Sequence, residues 1–324
     1  MKNLRILFMG TPEFAVATLG SLLMNGFNVV GVVTAPDKPS GRGRKISKPP
    51  VKEFAQVSCL PVFQPGNLKD PQFLREIRNL NPDVIIVVAF RKLPEAVWKI
   101  PPMGTINLHA SLLPHYRGAA PINHAIINGE EKTGLTTFFI NDQIDTGSIL
   151  LRKEVQIFPN ENAGDLEARL MKTGARLVIK TLEGLANNTL KPVPQSDLLK
   201  PGEIPRPAPK IFPADCIIDW QKENISIHNL IRGLAPDPCA RSFFKGKHGT
   251  IMFKIYESHP ADEKHTLTPG EIVTDRKTFM KIACGKGLLL VYTIQTEGKK
   301  KMSISDFLRG FRIQDYTITS TKQA

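Results

Sequence analysis

In the first half of the chain, short apolar runs alternate with amphipathic stretches. Residues 84–89 (VIIVVA) contain no polar position, the pattern of a strand buried on both faces. Residues 4–9, 28–34, 105–109, 135–139 and 148–154 are further short strand candidates. Helical periodicity lies between them. One helix is expected to start at Thr11-Pro12-Glu13, run through Leu23 and stop at Gly26. Others are expected at 51–58, 70–79 and 121–128, and a long one from Asn162-Ala163-Gly164-Asp165 to about Asn187. Strands separated by helices predict right-handed crossovers and a mostly parallel α/β sheet.

The pattern changes near Leu190. Residues 191–213 hold Pro192, Pro194, Pro201, Pro205, Pro207, Pro209 and Pro213. That density suits neither a helix nor a central strand and reads as an extended, semi-rigid connector. Beyond it come a short helix at 224–234 and strand-like runs at 250–256, 270–274, 279–284 and 288–296, several parted by glycine. A small antiparallel barrel is expected there. The division read from the sequence is 1–189, a linker at 190–210, and 211–324.

Composition adds bounds. The 324 residues are 41% hydrophobic and 23% charged, values of a globular chain rather than a disordered one. No window approaches a membrane span, and the first ten residues suit a strand better than a signal peptide, so a cytoplasmic setting is expected. Cys59, Cys216, Cys239 and Cys284 are far apart, without C-x-x-C, so neither a disulfide framework nor a metal site is expected. The formal net charge of +13 is less ordinary and favours polyanionic partners, nucleic acid among them.

Three segments could carry chemistry. Asn107 and His109 are two apart on a predicted strand and therefore share a face, at the strand's carboxyl end, where open α/β sheets bind ligands. An uncharged amide donor beside a titratable ring suits a carbonyl that becomes an oxyanion. The turn Asn141-Asp142-Gln143-Ile144-Asp145-Thr146-Gly147 offers two carboxylates, Asp142 and Asp145, for moving a proton or fixing the histidine. Its spacing does not choose between them. The stretch 36–48, with Lys38, Arg42, Arg44, Lys45 and Lys48 among glycines, is a basic loop suited to phosphates.

These segments also carry a resemblance. Phe8-Met9-Gly10-Thr11-Pro12-Glu13-Phe14-Ala15, the basic loop, Asn107-Leu108-His109-Ala110-Ser111-Leu112-Leu113-Pro114-His115-Tyr116-Arg117-Gly118, Asp145-Thr146-Gly147, Ile218-Asp219-Trp220 and Ile231-Arg232-Gly233-Leu234 resemble the methionyl-tRNA formyltransferase family over essentially the whole chain. The resemblance implies a Rossmann-like formyltransferase domain followed by a small OB-like β-barrel. It implies formyl transfer from 10-formyltetrahydrofolate to the amino group of methionyl initiator tRNA, without a metal. It assigns catalysis to Asn107, His109 and Asp145, and so selects Asp145 where spacing did not. It places folate near Ser111, Leu112, Leu113, Pro114, Tyr116, Arg117, Gly118 and Phe90, and the tRNA acceptor end at Lys38, Arg42, Arg44, Lys45 and Lys48.

Lys299, Lys300 and Lys301, with Lys286, Arg309 and Arg312, are expected to attract the tRNA helix. A solvated hairpin tip is the plainer account of the lysine triplet. One departure stands out: Phe90-Arg91-Lys92-Leu93-Pro94 carries two charges and no glycine where the family has an aromatic residue, glycine and an apolar residue. Formylation of glycinamide ribonucleotide or an amino-sugar nucleotide, and RNA binding without catalysis, are the competing expectations.

Overall fold

The computed structural model describes residues 3–40, 45–247 and 249–319. They form two compact units. The first comprises residues 1–121, 132–156 and 167–208; the second comprises 122–131, 157–166 and 209–324. The helices are α1 (Glu13–Met24), α2 (Pro50–Val57), α3 (Pro71–Asn79), α4 (Glu95–Trp98), α5 (Pro121–Ile127), α6 (Ala163–Ala186), α7 (Asn224–Leu234) and α8 (Ile304–Gly310). No helix among the described residues is long and apolar enough to cross a membrane.

In the first unit the strands are β1 (Arg5–Gly10), β2 (Asn28–Val33), the hairpin β3 (Lys38–Ser40) and β4 (Lys45–Ser47), β5 (Val62–Phe63) and β6 (Val84–Val88). They continue with β7 (Thr105–His109), β8 (Arg117–Gly118), β9 (Lys132–Phe139), β10 (Ile149–Gln156) and β11 (Pro207–Ala208). The main sheet has the order β10-β9-β7-β6-β1-β2-β5. The five strands from β7 to β5 are parallel, whereas β9 and β10 pair antiparallel. The expectation of a mostly parallel sheet therefore needs an antiparallel margin. The turn at 141–147 joins β9 and β10 as a hairpin, and a hairpin reverses direction without a crossover.

All five residues of β6 are buried, as a strand covered on both faces requires. Leu7, Met9, Ile85 and Val87 share a core with Phe73 and Ile77 of α3 and Val97 of α4. Asp70 starts α3 by accepting from the N–H of Gln72 and Phe73 at 2.8 and 3.1 Å, with Pro71 in the first turn. On β7, Leu108 turns towards α6, where a Cβ on Gly174 would lie 2.8 Å from it. Alternation sends Asn107 and His109 to the opposite face.

The proline-rich stretch expected as a connector belongs to the first unit as far as Ala208. Val193 exchanges both backbone hydrogen bonds with Ile149, at 2.8 and 2.9 Å, and β11 pairs with β8. Proline forbids a central strand but leaves such edge pairing open.

The second unit contains β12 (Ala240–Gly246), β13 (Gly249–Ala261), β14 (Ile272–Thr274), β15 (Met280–Ala283), β16 (Leu288–Thr296), β17 (Met302–Ser303) and β18 (Tyr316–Thr319). The order β14-β15-β16-β13-β12-β18 is antiparallel throughout, with β17 beside β16. The sheet curls until Gly270, just before β14, approaches the Ile318 carbonyl of β18. This is the nearly closed barrel expected, although β12, β17, β18 and α8 carried too short or too mixed a pattern to be read. Its core centres on Phe244, stacked on Phe253 at 4.0 Å and on Phe307 at 5.7 Å.

Buried His228 of α7 bonds through Nδ1 to Ser258 Oγ at 3.1 Å, and burial, Arg232 and His259 push its pKa down to about 4. Because the unfolded ring charges near 6.5 and the folded ring does not, stability must fall as pH drops from there towards 4. The whole loss is at most about 3 kcal/mol. Urea denaturation of wild type and His228→Gln across this range should give a sloping and a flatter profile respectively.

Candidate active site

At the carboxyl end of the sheet, three non-glycine residues adopt left-handed backbone. Ala89 after β6, Tyr116 and Asp145 have φ values of 47°, 61° and 55°. Such conformations cost energy and persist where surrounding bonds enforce them. His109 ends β7 and is 6% exposed. Its Nε2 lies 2.8 Å from the Tyr116 carbonyl, which only accepts, so Nε2 carries the hydrogen. Nδ1 then faces Asp145 Oδ2 at 3.7 Å. The same carboxylate oxygen accepts the Gly118 N–H at 3.0 Å. Asn107, two residues before His109 and half-buried, makes no side-chain hydrogen bond among the described residues, which leaves its amide free for a ligand.

Local bonds explain how Asp145 arrives there. Asn141 Oδ1 accepts the Gln143 N–H at 3.2 Å and the Thr146 hydroxyl at 2.9 Å, closing the turn on itself. Buried Gln195 donates through Nε2 to the carbonyls of Asp145 and Gly147, at 2.9 and 2.8 Å, and accepts at Oε1 from Arg117 Nε and Nη2, at 3.0 and 2.6 Å. Burial lowers the Arg117 pKa, and the Asp145 charge opposes that shift. Asp142, the other carboxylate of the turn, is exposed.

The loop expected at the folate is knotted to itself. Ser111 Oγ donates to the His115 carbonyl at 2.7 Å, while Thr136 Oγ1 donates to the Ser111 carbonyl and accepts from Leu113 N. Ser111 and Leu113 have no exposed surface, Pro114 and Tyr116 are buried, and Leu112 is half-buried. These side chains shape the loop, so what it offers a ligand is backbone together with Arg117 and Gly118. Phe90 is half-buried against the core around α3. Arg91 lies over its ring and donates to the carbonyls of Pro65 and Gly66. The unexpected Arg91 thus ties down the loop after β5; nothing accounts for Lys92.

Asp37 anchors the base of the β3–β4 hairpin. It accepts from Gln64 and Lys52 at 2.8 and 2.7 Å, and those bonds hold its pKa below the usual range. Lys38 and Lys48 are exposed. Arg42, Arg44 and the Lys45 side chain lie outside the described residues. Lys299, Lys300 and Lys301 form an exposed hairpin end between β16 and β17. Lys301 is already engaged, 3.5 Å from Glu257 and 4.7 Å over the Tyr256 ring. Lys286 pairs with Glu223 at 3.8 Å, and Arg309 pairs with Asp306.

The comparisons with known proteins bear on this geometry. Residues 2–182 match the formyl transferase family, and residues 210–312 match the formyl transferase C-terminal domain. Methionyl-tRNA formyltransferase of Bacteroides thetaiotaomicron is 47% identical over 315 residues, 97% of this chain and 98% of the relative. That of Flavobacterium johnsoniae is 49% identical over the same shares. The chain belongs to the methionyl-tRNA formyltransferase family. Its fold is also that of sugar formyltransferases. WlaRD, a sugar 3N-formyl transferase crystallised with dTDP and 5-N-formyl-THF, superposes with a TM-score of 0.64 at 20% identity over 92% of this chain and 99% of its own. The N-formyltransferase of Helicobacter canadensis gives 0.66 at 21%, over 89% and 98%.

Within this member of the family, Gly147 is where the strand face and the turn meet. A Cβ there would lie 1.6 Å from the Phe139 carbonyl oxygen. Gly147→Ala must displace the turn and Asp145 with it. Formyl transfer measured at saturating substrates should fall about a hundredfold, the cost of roughly 1 Å of misplacement.

Proposed function

We propose that this chain transfers the formyl group of 10-formyltetrahydrofolate to the amino group of methionyl initiator tRNA. The observation that carries the reading is the convergence at the rim of the sheet: Asp145 on the His109 ring at 3.7 Å, beside the unengaged amide of Asn107. High identity to methionyl-tRNA formyltransferases supports the acceptor. WlaRD, with its formyl-folate, supports the donor class. We assign catalysis and folate binding to residues 1–189, supported by 190–210, and tRNA attraction to 211–324. The reaction belongs in the cytoplasm, where charged tRNA is made and used.

In this reading the neutral amine attacks the formyl carbon. Asn107 donates from its amide to the developing oxyanion. Asp145, whose Oδ2 accepts the Gly118 N–H, takes the amine proton. As the carbon–N10 bond breaks, that proton passes to N10 and the oxyanion returns to a carbonyl. His109 is fixed by the Tyr116 carbonyl and keeps Nδ1 towards the same carboxylate. Ser111, Leu112, Leu113, Pro114, Tyr116, Arg117, Gly118 and Phe90 border the folate, the buried ones through backbone. Lys38, Arg42, Arg44, Lys45 and Lys48 meet the acceptor end, and Lys299 and Lys300, with Lys301 beside them, meet the helical part. The end of the acceptor stem is the readable feature, because A-form duplex hides its base edges.

The deciding assay offers 10-formyltetrahydrofolate with methionyl initiator tRNA, methionyl elongator tRNA, glycinamide ribonucleotide or an amino-sugar nucleotide. Efficient transfer to the initiator alone is expected; preference for a small acceptor, or RNA binding without turnover, contradicts the reading. Asn107→Ala, His109→Ala and Asp145→Ala should each lower kcat about 10²–10³-fold with tRNA affinity retained. Binding should weaken steeply with salt, and a Lys299→Ala/Lys300→Ala variant should flatten the slope of log K against log salt by about one unit per lost phosphate contact.

A further inference from the structure

We propose that Gln195 is a positioning residue for Asp145. The inference rests on the formyl transfer argued above. Gln195 is 3% exposed and opens a short 3-10 turn, Gln195–Leu198, two residues after the Val193–Ile149 pairing. A carboxamide has two donor hydrogens and two acceptor sites on its oxygen. All four are in use: two hydrogens on the carbonyls of Asp145 and Gly147, two acceptor sites on Nε and Nη2 of Arg117.

This arrangement does two things for one carboxylate. The two donated bonds bracket the turn from residue 145 to residue 147 and hold Asp145 at φ 55°, a conformation its own side chain disfavours. The accepted bonds give the Arg117 guanidinium a neutral partner. Arg117 feels the Asp145 charge, and released from Gln195 it would turn towards that carboxylate. With Gln195 in place, Asp145 Oδ2 stays with the Gly118 N–H and the His109 ring. Gln195 touches no reacting atom in this account; its effect passes through Asp145.

The test compares steady-state formyl transfer by wild type, Gln195→Ala and Gln195→Glu with 10-formyltetrahydrofolate and methionyl initiator tRNA. Gln195→Glu keeps acceptors for Arg117 but loses both donors to the turn, so it separates positioning from general packing. Thr181→Val controls for stability, because it breaks a buried 2.8 Å hydrogen bond to Thr137 in the same unit, away from this turn. Both Gln195 variants should lose about ten- to hundredfold in kcat, with both KM values within about threefold of wild type. Thr181→Val should keep kcat within about twofold, even if its melting temperature falls as far. If Gln195→Glu keeps wild-type kcat, or if the loss lies wholly in KM, the proposal is overturned while the functional reading stands. A wild-type chain without transfer overturns both.

Discussion

One hydrogen bond sets the terms for the rim of the sheet: the Gly118 N–H to Asp145 Oδ2, at 3.0 Å. It joins the loop after β7 to the turn between β9 and β10, and it puts a carboxylate beside the His109 ring. The other arrangements serve it. Thr136 and Arg152 hold the loop from below, through the Ser111 and Leu113 backbone. Asn141 closes the turn on its far side. The Tyr116 carbonyl fixes the imidazole that the carboxylate faces. A general acid–base group is effective only when its geometry is set, and here one set of backbone contacts fixes the place of the carboxylate.

Charge is divided along the chain in a way that suits a small electrophile and a large polyanion. The buried polar groups at the rim meet one another, with Arg117 held on a neutral amide. Exposed positive charge lies elsewhere, Lys38 and Lys48 near the hairpin and Lys299 and Lys300 in the second unit among it. Not every basic residue is free for a phosphate: Lys301, Lys286 and Arg309 have carboxylate partners within the unit. Such exposed pairs are worth little and exchange readily for a stronger anion.

Much of this was legible in the sequence, for physical reasons. The apolar run at 84–89 suited a doubly buried strand, and β6 is one as far as Val88, with Ala89 exposed beyond it. The two-residue spacing of Asn107 and His109 on a strand sets their common face. Asp145 was not separable from Asp142 by spacing; resemblance chose it, and the left-handed turn that carries it is a tertiary feature. Gln195 was invisible because a glutamine among prolines has no periodicity to mark it. The antiparallel pairing of β9 was readable in principle, since the short polar turn at 141–147 leaves no room for a crossover helix. The resemblance placed folate near Ser111 and Leu113, and both side chains are buried. Here Thr136, hidden in a strand, turns the loop inward.

The central claim is that the reacting carbonyl sits between the Asn107 amide and the Asp145–His109 pair. A crystal structure with a bound formyl-folate analogue tests it most directly. The account predicts the formyl oxygen within about 2.7–3.1 Å of Asn107 Nδ2, with its carbon on the Asp145 side. A formyl group lodged elsewhere on the sheet edge, beyond hydrogen-bond reach of all three side chains, would contradict it.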